Sequence, residues 1–294
     1  MKEIQRKYPP GSEWTYVKIY AGNKTIEEIL AKEITAVTKK IKQYSLIDKW
    51  FFIRYSDPEF HLRIRYLSKD KQNSGQVIGL INDRLMKLVK CGLVWKIQLD
   101  TYNRELERYR KELMEDSESI FFVDSECILS ILKMIGNKEN YRWMIALKLI
   151  DIFLSDFLFD MEKKQRLLEM LCKSFKAEFG FNEFNAKQFN VKFRENKKVI
   201  ESVLNNIIIE EDFIKLYKPV RKRSKDLAPI IKQLYSKTEK WKEPEAIDSL
   251  LSSYIHMMMN RLFMTKNRMH ELILYDFLRR YYTSENAKAK KNAK

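Results

Sequence analysis

Three short segments of this chain carry side chains of the types and spacings that do chemistry on anions and protons. The first is His61-Leu62-Arg63-Ile64-Arg65. Strand side chains alternate between faces, so His61, Arg63 and Arg65 share one face while Leu62 and Ile64 point the other way. One face can join a core while the other gathers cations suited to a carboxylate or phosphate. The bland alternative is a solvated sheet face, and the strand alone does not decide between them. The second segment is Arg104-Glu105-Leu106-Glu107-Arg108-Tyr109. In a helical turn Glu105 and Arg108 lie three apart on one face, and in isolation this reads as a local surface ion pair of roughly 0.2–0.5 kcal/mol. The third is Ile255-His256-Met257-Met258-Met259-Asn260-Arg261-Leu262, where His256 and Asn260 are one helical turn apart and can converge. A helical histidine beside a methionine run is, by itself, most simply a packing feature.

The elements that position these residues can be traced in order. The first hundred residues read β-α-β-β-α-β. Trp14 to Ala21 is a strand rich in aromatic and branched residues. Thr25 followed by Glu28 has the form of a capping box, after which Ile26, Ile29, Leu30, Ile34 and Val37 recur at helical spacing. Lys49 to Tyr55 is the second strand, Ser56-Asp57-Pro58 the turn, and His61 to Leu67 the third strand. Gln76 to Lys90 forms a helix stopped by Gly92, and Val94 to Asp100 the fourth strand. The order is that of a split β-α-β sheet with helices on one face. After Tyr102 the periodicity predicts helices over Ser117–Met134, Tyr141–Asp160, Lys163–Phe175, Lys187–Leu204, Ile230–Tyr235, Ala246–Phe263 and Arg268–Tyr282. The fold class is α+β, an antiparallel sheet with a large C-terminal helical portion packed on it. No linker marks a boundary, so 1–294 is expected to be a single domain: sheet portion 12–102, helical portion 103–282, and a disordered basic tail over 283–294.

Bulk properties exclude several classes. The 294 residues are 45% hydrophobic, enough for a sizeable core, and only 7 Gly and 6 Pro imply few loops. The three cysteines, Cys91, Cys127 and Cys172, have no paired spacing and suit a reducing cytoplasm. No apolar stretch follows Met1, which argues against a signal peptide. The most apolar helix, Trp143 to Phe159, carries Lys148, Asp151 and Asp156, which argues against membrane insertion. The net charge of +16 invites a nucleic-acid reading, but the cations cluster at Lys218, Arg221, Lys222, Arg223 and Lys225, read as a surface loop, and at Lys288, Lys290, Lys291 and Lys294 in the tail. An anionic partner at 218–225 stays open; for the tail, plain solubility is the simpler account. There is no Gly-rich phosphate loop, no His-Glu-x-x-His pair and no Gly-x-Ser-x-Gly elbow, and three histidines without Cys-x-x-Cys make a dedicated metal site improbable.

Taken in order, the segments Trp50 to Tyr55, Asp57-Pro58, His61 to Arg65, Asp100-Thr101-Tyr102, Arg104-Glu105, Glu107-Arg108-Tyr109, Phe121-Phe122, Asp124-Ser125, His256-Met257 and Asn260-Arg261-Leu262 resemble the C-terminal domain of lantibiotic dehydratases, also called the thiopeptide-type bacteriocin biosynthesis domain. The resemblance runs from about Trp14 to Tyr282. It implies a stand-alone, cofactor-free lyase of ribosomal peptide natural-product biosynthesis. Such a lyase removes glutamate from glutamylated Ser or Thr of a precursor peptide and leaves dehydroalanine or dehydrobutyrine. It implies a catalytic set of His256, Arg63, Arg65, Arg108 and Glu105, with His61, Arg54, Asn260 and Tyr102 binding substrate. The implied partners are the precursor peptide and a separate glutamyl-tRNA-dependent glutamylating enzyme, with no nucleic-acid requirement in the elimination itself; a homodimer is compatible with the sequence.

The chemistry suits these residue types. Removing a peptide α-proton needs a base and stabilisation of the enolate. Histidine titrates near neutral pH, and arginine grips carboxylates in a two-point fork. Glu105 could orient Arg108 or hold the glutamyl amine. One departure stands out: where the family commonly has two glycines after the Arg-Tyr pair, this chain has Arg110 and Lys111, so a continued helix is expected there. Two other readings remain: a thiopeptide pyridine synthase, joining two dehydroalanines in a formal [4+2] cyclisation with leader release, and a non-catalytic module that binds the precursor through its basic surface or a sheet edge.

Overall fold

The computed structural model describes residues 4–136, 138–207, 210–238 and 244–292. Met1, Lys2 and Glu3 and the tail residue Lys294 therefore lie outside the described residues. The strands are β1 (Lys7–Tyr8), β2 (Trp14–Ala21), β3 (Ile47–Ser56), β4 (Phe60–Ser68), β5 (Val94–Leu99) and β6 (Tyr102–Asn103). The helices are α1 (Asn23–Glu28), α2 (Thr35–Gln43), α3 (Asn73–Lys90), α4 (Leu106–Tyr109), α5 (Met114–Ile135), α6 (Asn140–Asp156), α7 (Met161–Glu178), α8 (Glu183–Leu204), α9 (Glu211–Lys215), α10 (Tyr217–Thr238), α11 (Pro244–Leu262) and α12 (Asn267–Asn292). A π-helical stretch, Ile29–Ile34, joins α1 to α2. The chain resolves into two compact units, one of residues 1–134, 232–240 and 260–265, the other of 135–231, 241–259 and 266–294.

In the first unit the main sheet has the order β3-β4-β2-β5, and every neighbouring pair is antiparallel. This is the α+β arrangement expected from the element order, with β4 inserted between β2 and β3. The register sorts the side chains. Val17, Ile19, Leu62, Ile64 and Phe52 fall on one face and are buried. Tyr16, Lys18 and Tyr20 of β2 stand across from Arg65, Arg63 and His61 of β4, which stand across from Phe51, Ile53 and Tyr55 of β3. The second face is therefore cationic and aromatic in alternating columns. A smaller ladder, Tyr8 against Tyr102 and Lys7 against Asn103, fixes the chain just after β5; two residues per strand are too few for a sequence pattern.

Several boundaries differ from expectation. Helix α1 starts at Asn23 after Gly22 in an extended conformation, so Thr25 is inside the helix and there is no capping box. Gly92 does end α3, at φ +75°, a conformation that favours glycine. The cations of 218–225 sit on α10, not on a loop; Pro229 lies within that helix and removes one backbone donor without ending it. Arg223 is 1% exposed, with Nη2 donating to the Leu149 carbonyl at 2.9 Å and Nη1 to Met258 Sδ at 2.8 Å, so it belongs to the core of the second unit. Residues 283–292, expected to be a disordered tail, complete α12. Among the described residues no helix is long and apolar enough to cross a membrane.

Candidate functional site

Arg65 is 8% exposed, and its guanidinium lies 4.2 Å from the ring centre of Tyr16, 4.9 Å from Tyr102 and 5.3 Å from Phe51. Its Nε is buried without a hydrogen-bond partner. Rings, rather than a carboxylate, surround this cation. Burial pushes the guanidinium down from its ordinary value, and the neighbouring Arg63 pushes the same way, while Tyr16, Tyr102 and Glu105 pull it back. A cation held dry by aromatic faces keeps much of its field for an incoming anion.

Arg63 lies two residues away on the same face, stacked at 3.4 Å over the Tyr55 ring, with Nε donating to Nε2 of His61 at 2.9 Å. His61 is fully buried, and its Nδ1 is 2.7 Å from the Glu59 carbonyl. Both ring nitrogens are thus occupied. The imidazole, expected to bind substrate, instead props the guanidinium of Arg63. The remaining cations of this face are tempered: Lys18 pairs with Asp100, and Lys96 rides 4.8 Å over Tyr20.

The segment after β5 comes to the same field. Tyr102 donates to Glu118 at 3.0 Å, and Arg104 binds Glu118 twice at 2.7 Å. Glu118, on α5, is 1% exposed. Those bonds anchor the strand end from which Glu105 and Arg108 project, 3.5 Å apart and exposed. Glu105 acts on Arg65, and Arg108, Glu105 and Arg65 all act on Tyr109, whose phenol burial pushes up to about 12. The first unit therefore brings together Arg63, Arg65, Tyr102, Glu105 and Arg108. The helix does not continue beyond them: α4 ends at Tyr109, and Arg110 takes φ +62°, the conformation glycine would adopt freely.

Arg54 and Asn260 do other work. Arg54 stands across from Leu62, on the sheet face opposite to Arg63, with Nη2 donating to Glu27 at 2.5 Å and Nε to the Arg261 carbonyl at 3.1 Å. Asn260 exchanges two 2.9 Å bonds with the backbone of Arg54, closing the edge of β3 as a further strand would. Arg261 reaches the Phe52 carbonyl at 2.9 Å and Asp124 at 3.0 Å. Arg54 and Asn260, expected at the substrate, tie down the strand.

His256 belongs to the second unit. On α11, Leu251, Tyr254, Ile255, Met258, Met259 and Leu262 form the buried stripe, while His256 lies off it with 23% of its side chain exposed. Its Nδ1 is 2.9 Å from Glu271 of α12, and Glu271 also accepts from Tyr275 at 3.1 Å. Neither Glu118 nor Glu271 was singled out from the sequence. Their only signal there is an acidic residue on an otherwise apolar helical stripe. Among the described residues no cluster of three His, Cys, Asp or Glu is arranged to hold a metal.

A split β-α-β sheet with an arginine-rich face in the first unit and helices carrying a carboxylate-bound histidine in the second give the chain an α+β fold. Residues 14–282 match the family described as lantibiotic biosynthesis dehydratase C-term, and the chain belongs to that family. It is 27% identical over 278 residues to the subtilin biosynthesis protein SpaB of Bacillus subtilis, covering 90% of this chain and 25% of that one. It is 28% identical over 295 residues to the nisin biosynthesis protein NisB of Lactococcus lactis subsp. lactis, covering 97% and 27%. The chain thus spans about a quarter of the length of the curated relatives it matches. In fold it is similar to the tRNA-dependent lantibiotic dehydratase MibB of Microbispora sp. 107891, with TM-score 0.74 and 19% identity over 96% of this chain and 29% of that one. It is also similar to the pyridine synthase TbtD of thiomuracin biosynthesis, with TM-score 0.66 and 12% identity over 93% and 98%. At these identities the likeness to the two solved structures is one of fold.

Proposed function

We propose that this protein eliminates glutamate from glutamylated Ser or Thr of a precursor peptide, forming dehydroalanine or dehydrobutyrine. The observation that carries the proposal is Arg65, a buried cation boxed by Tyr16, Tyr102 and Phe51. Reception of an anion there would offset the cost of burying this guanidinium without a carboxylate. The departing glutamate offers the anion: one carboxylate is freed as the Cβ–O bond breaks, and another is on its side chain. In this reading Arg65 and Arg63 grip carboxylate, Arg108 adds a third guanidinium, and Glu105 orients Arg108 or takes the glutamyl amine. His256 carries the α-proton. As the Cα–H bond breaks, its electron pair becomes the new double bond, and glutamate leaves with the electrons of the Cβ–O bond. A glutamyl-tRNA-dependent enzyme supplies the adduct.

The test is the purified protein with a synthetic glutamylated peptide. Mass spectrometry should record loss of the glutamyl group, and His256→Ala should leave the adduct intact. An untouched adduct with the wild-type protein would count against the proposal.

A second reading, [4+2] pyridine synthesis with leader release, is favoured by one observation: the fold is shared with nearly the whole of TbtD. Incubation with a dehydrated precursor separates the two, since a macrocycle and a freed leader would replace the first reading.

A further inference from the structure

The second unit holds a chain of three side chains, of which the proposed reaction uses only His256. His256 presents Nδ1 to Glu271 Oε1 at 2.9 Å, and Tyr275, one turn further along α12, donates its hydroxyl to Glu271 Oε2 at 3.1 Å. Glu271 and Tyr275 are both 0% exposed, whereas the His256 side chain is 23% exposed. Tyr275 is braced by the edge of Phe175 at 5.2 Å. Burial and the adjacent carboxylate hold its phenol well above the ordinary range, so it stays a hydrogen-bond donor. Nearby, Arg268 binds Glu178 through Nε at 2.8 Å; Glu178 also interacts electrostatically with His256, and Arg268 with Glu271.

A carboxylate accepts hydrogen bonds and does not donate them. With Tyr275 on one oxygen of Glu271, the other oxygen takes a proton donor, and the group facing it is Nδ1 of His256. In the neutral ring that assignment leaves the lone pair on Nε2, and the side chain is partly exposed. A lone helical histidine needs neither a fully buried carboxylate behind it nor a tyrosine behind that.

We propose that Glu271 and Tyr275 are positioning residues that fix His256 as the Nδ1–H tautomer, with Nε2 as the atom that takes the α-proton. The proposal rests on the elimination reading for the proton's origin, but its structural half does not. The ion pair formed when Nε2 is protonated is stabilised by Glu271, which removes the need for the imidazolium to be solvated. The arrangement also blocks the wrong tautomer, in which Nε2 would already carry hydrogen and could accept nothing.

Two measurements test it. The full-length protein labelled with 15N-histidine is observed by two-bond proton–nitrogen correlation at alkaline pH, with His61→Gln and His270→Gln used to assign signals. His256 should show a protonated Nδ1 and a bare Nε2; the reverse pattern overturns the proposal whatever the substrate. In the glutamylated-peptide assay, Glu271→Gln should lower kcat about 10²-fold while KM changes by less than about threefold. Glu271→Asp should recover part of the loss, and Tyr275→Phe should cost a smaller, several-fold drop in kcat. Wild-type kcat in Glu271→Gln overturns the proposal. If Glu271→Gln does not fold, Tyr275→Phe and the wild-type spectrum decide. A wild-type protein with the expected tautomer but no elimination would sink the functional reading and leave the tautomer assignment standing.

Discussion

The Nε–H of Arg63 points into Nε2 of His61 at 2.9 Å, and the opposite nitrogen of that imidazole faces the Glu59 carbonyl at 2.7 Å. Nδ1 therefore carries the hydrogen and Nε2 the lone pair. A doubly protonated ring would place its own N–H against a guanidinium that has nothing to accept with. Arg63 is thus held by a histidine that can accept its hydrogen bond only while neutral.

That relationship predicts an acid weakness. Burial drives the His61 pKa down and Arg63 adds to it, against a partial pull upward from the Glu59 carbonyl. The folded value lies below the unfolded one, so between the two the unfolded chain binds more protons. The His61 contribution to stability is complete above the unfolded value of about 6.5 and is lost as pH falls through the folded value. Thermal melts from about pH 7 to about pH 5 should show declining stability with a His61 share of at most about 1.4 kcal/mol per pH unit. In His61→Gln, whose amide can both accept and donate, that share should vanish; an identical slope in the variant would refute it.

Arg65 and Arg261 are both buried arginines, and they should respond oppositely to replacement. Arg261 is answered by Asp124 at 3.0 Å and by the Phe52 carbonyl, whereas Arg65 rests on three rings. Arg261→Met removes the guanidinium that a buried carboxylate is paired with and should cost about 3–5 kcal/mol. Arg65→Met gives up cation–π attraction of about 2 kcal/mol but also the desolvation penalty of an unpaired charge, so its stability should stay within about 1 kcal/mol of wild type. Elimination by Arg65→Met should nevertheless fall by about 10²-fold or more. Urea titration beside the peptide assay checks both halves, and a large stability loss in Arg65→Met would show the charge to be structural.

Arg110 sits at φ +62° between α4 and the turn that leads into α5. A side chain in that region costs about 1–3 kcal/mol, of which glycine recovers most while giving back about 0.5–1 kcal/mol of unfolded-state entropy. Arg110→Gly should therefore stabilise the protein by about 1 kcal/mol and leave the Glu105–Arg108 segment in place. A destabilised Arg110→Gly in urea titration would mean that interactions of the arginine side chain outweigh the backbone strain.

These residues also show how far the sequence could be read. The cationic strand face was legible because alternation is a local rule: once His61 to Arg65 is a strand, its three ionisable groups share a side. The sheet order followed from the β-α-β-β-α-β succession, since a split crossover leaves one slot for β4. What the sequence hid was pairing. Arg54 has the same residue type as Arg63 and lies in an equally apolar strand, and only the register of β3 on β4 sends it to the opposite face. Asn260 is near His256 along the helix, yet its amide spends both bonds on a strand some two hundred residues away in sequence. The helix over 217–229 was missed because Pro229 reads as a stop, while a proline that loses one donor is tolerated in a helix of 22 residues. Glu118 and Glu271 look like ordinary helical acids until the groups facing them are known.

Glu118 sets the last prediction. It takes Arg104 through both oxygens at 2.7 Å and the Tyr102 hydroxyl at 3.0 Å, all buried. Tyr102 is in turn one wall of the Arg65 box. Glu118→Ala leaves the Arg104 guanidinium buried without its carboxylate and should cost about 3–5 kcal/mol. Arg104→Met with Glu118→Ala removes both charges and should recover much of that loss, so the double-mutant cycle should return a coupling well above the few tenths of a kcal/mol expected of independent sites. Recovery of stability need not bring back activity, because Tyr102 still lacks its acceptor and the wall of the box is free to shift. The expected outcome is a folded double variant with kcat/KM below wild type; additive stability effects, or full activity in the double variant, would remove Glu118 from the support of the arginine face.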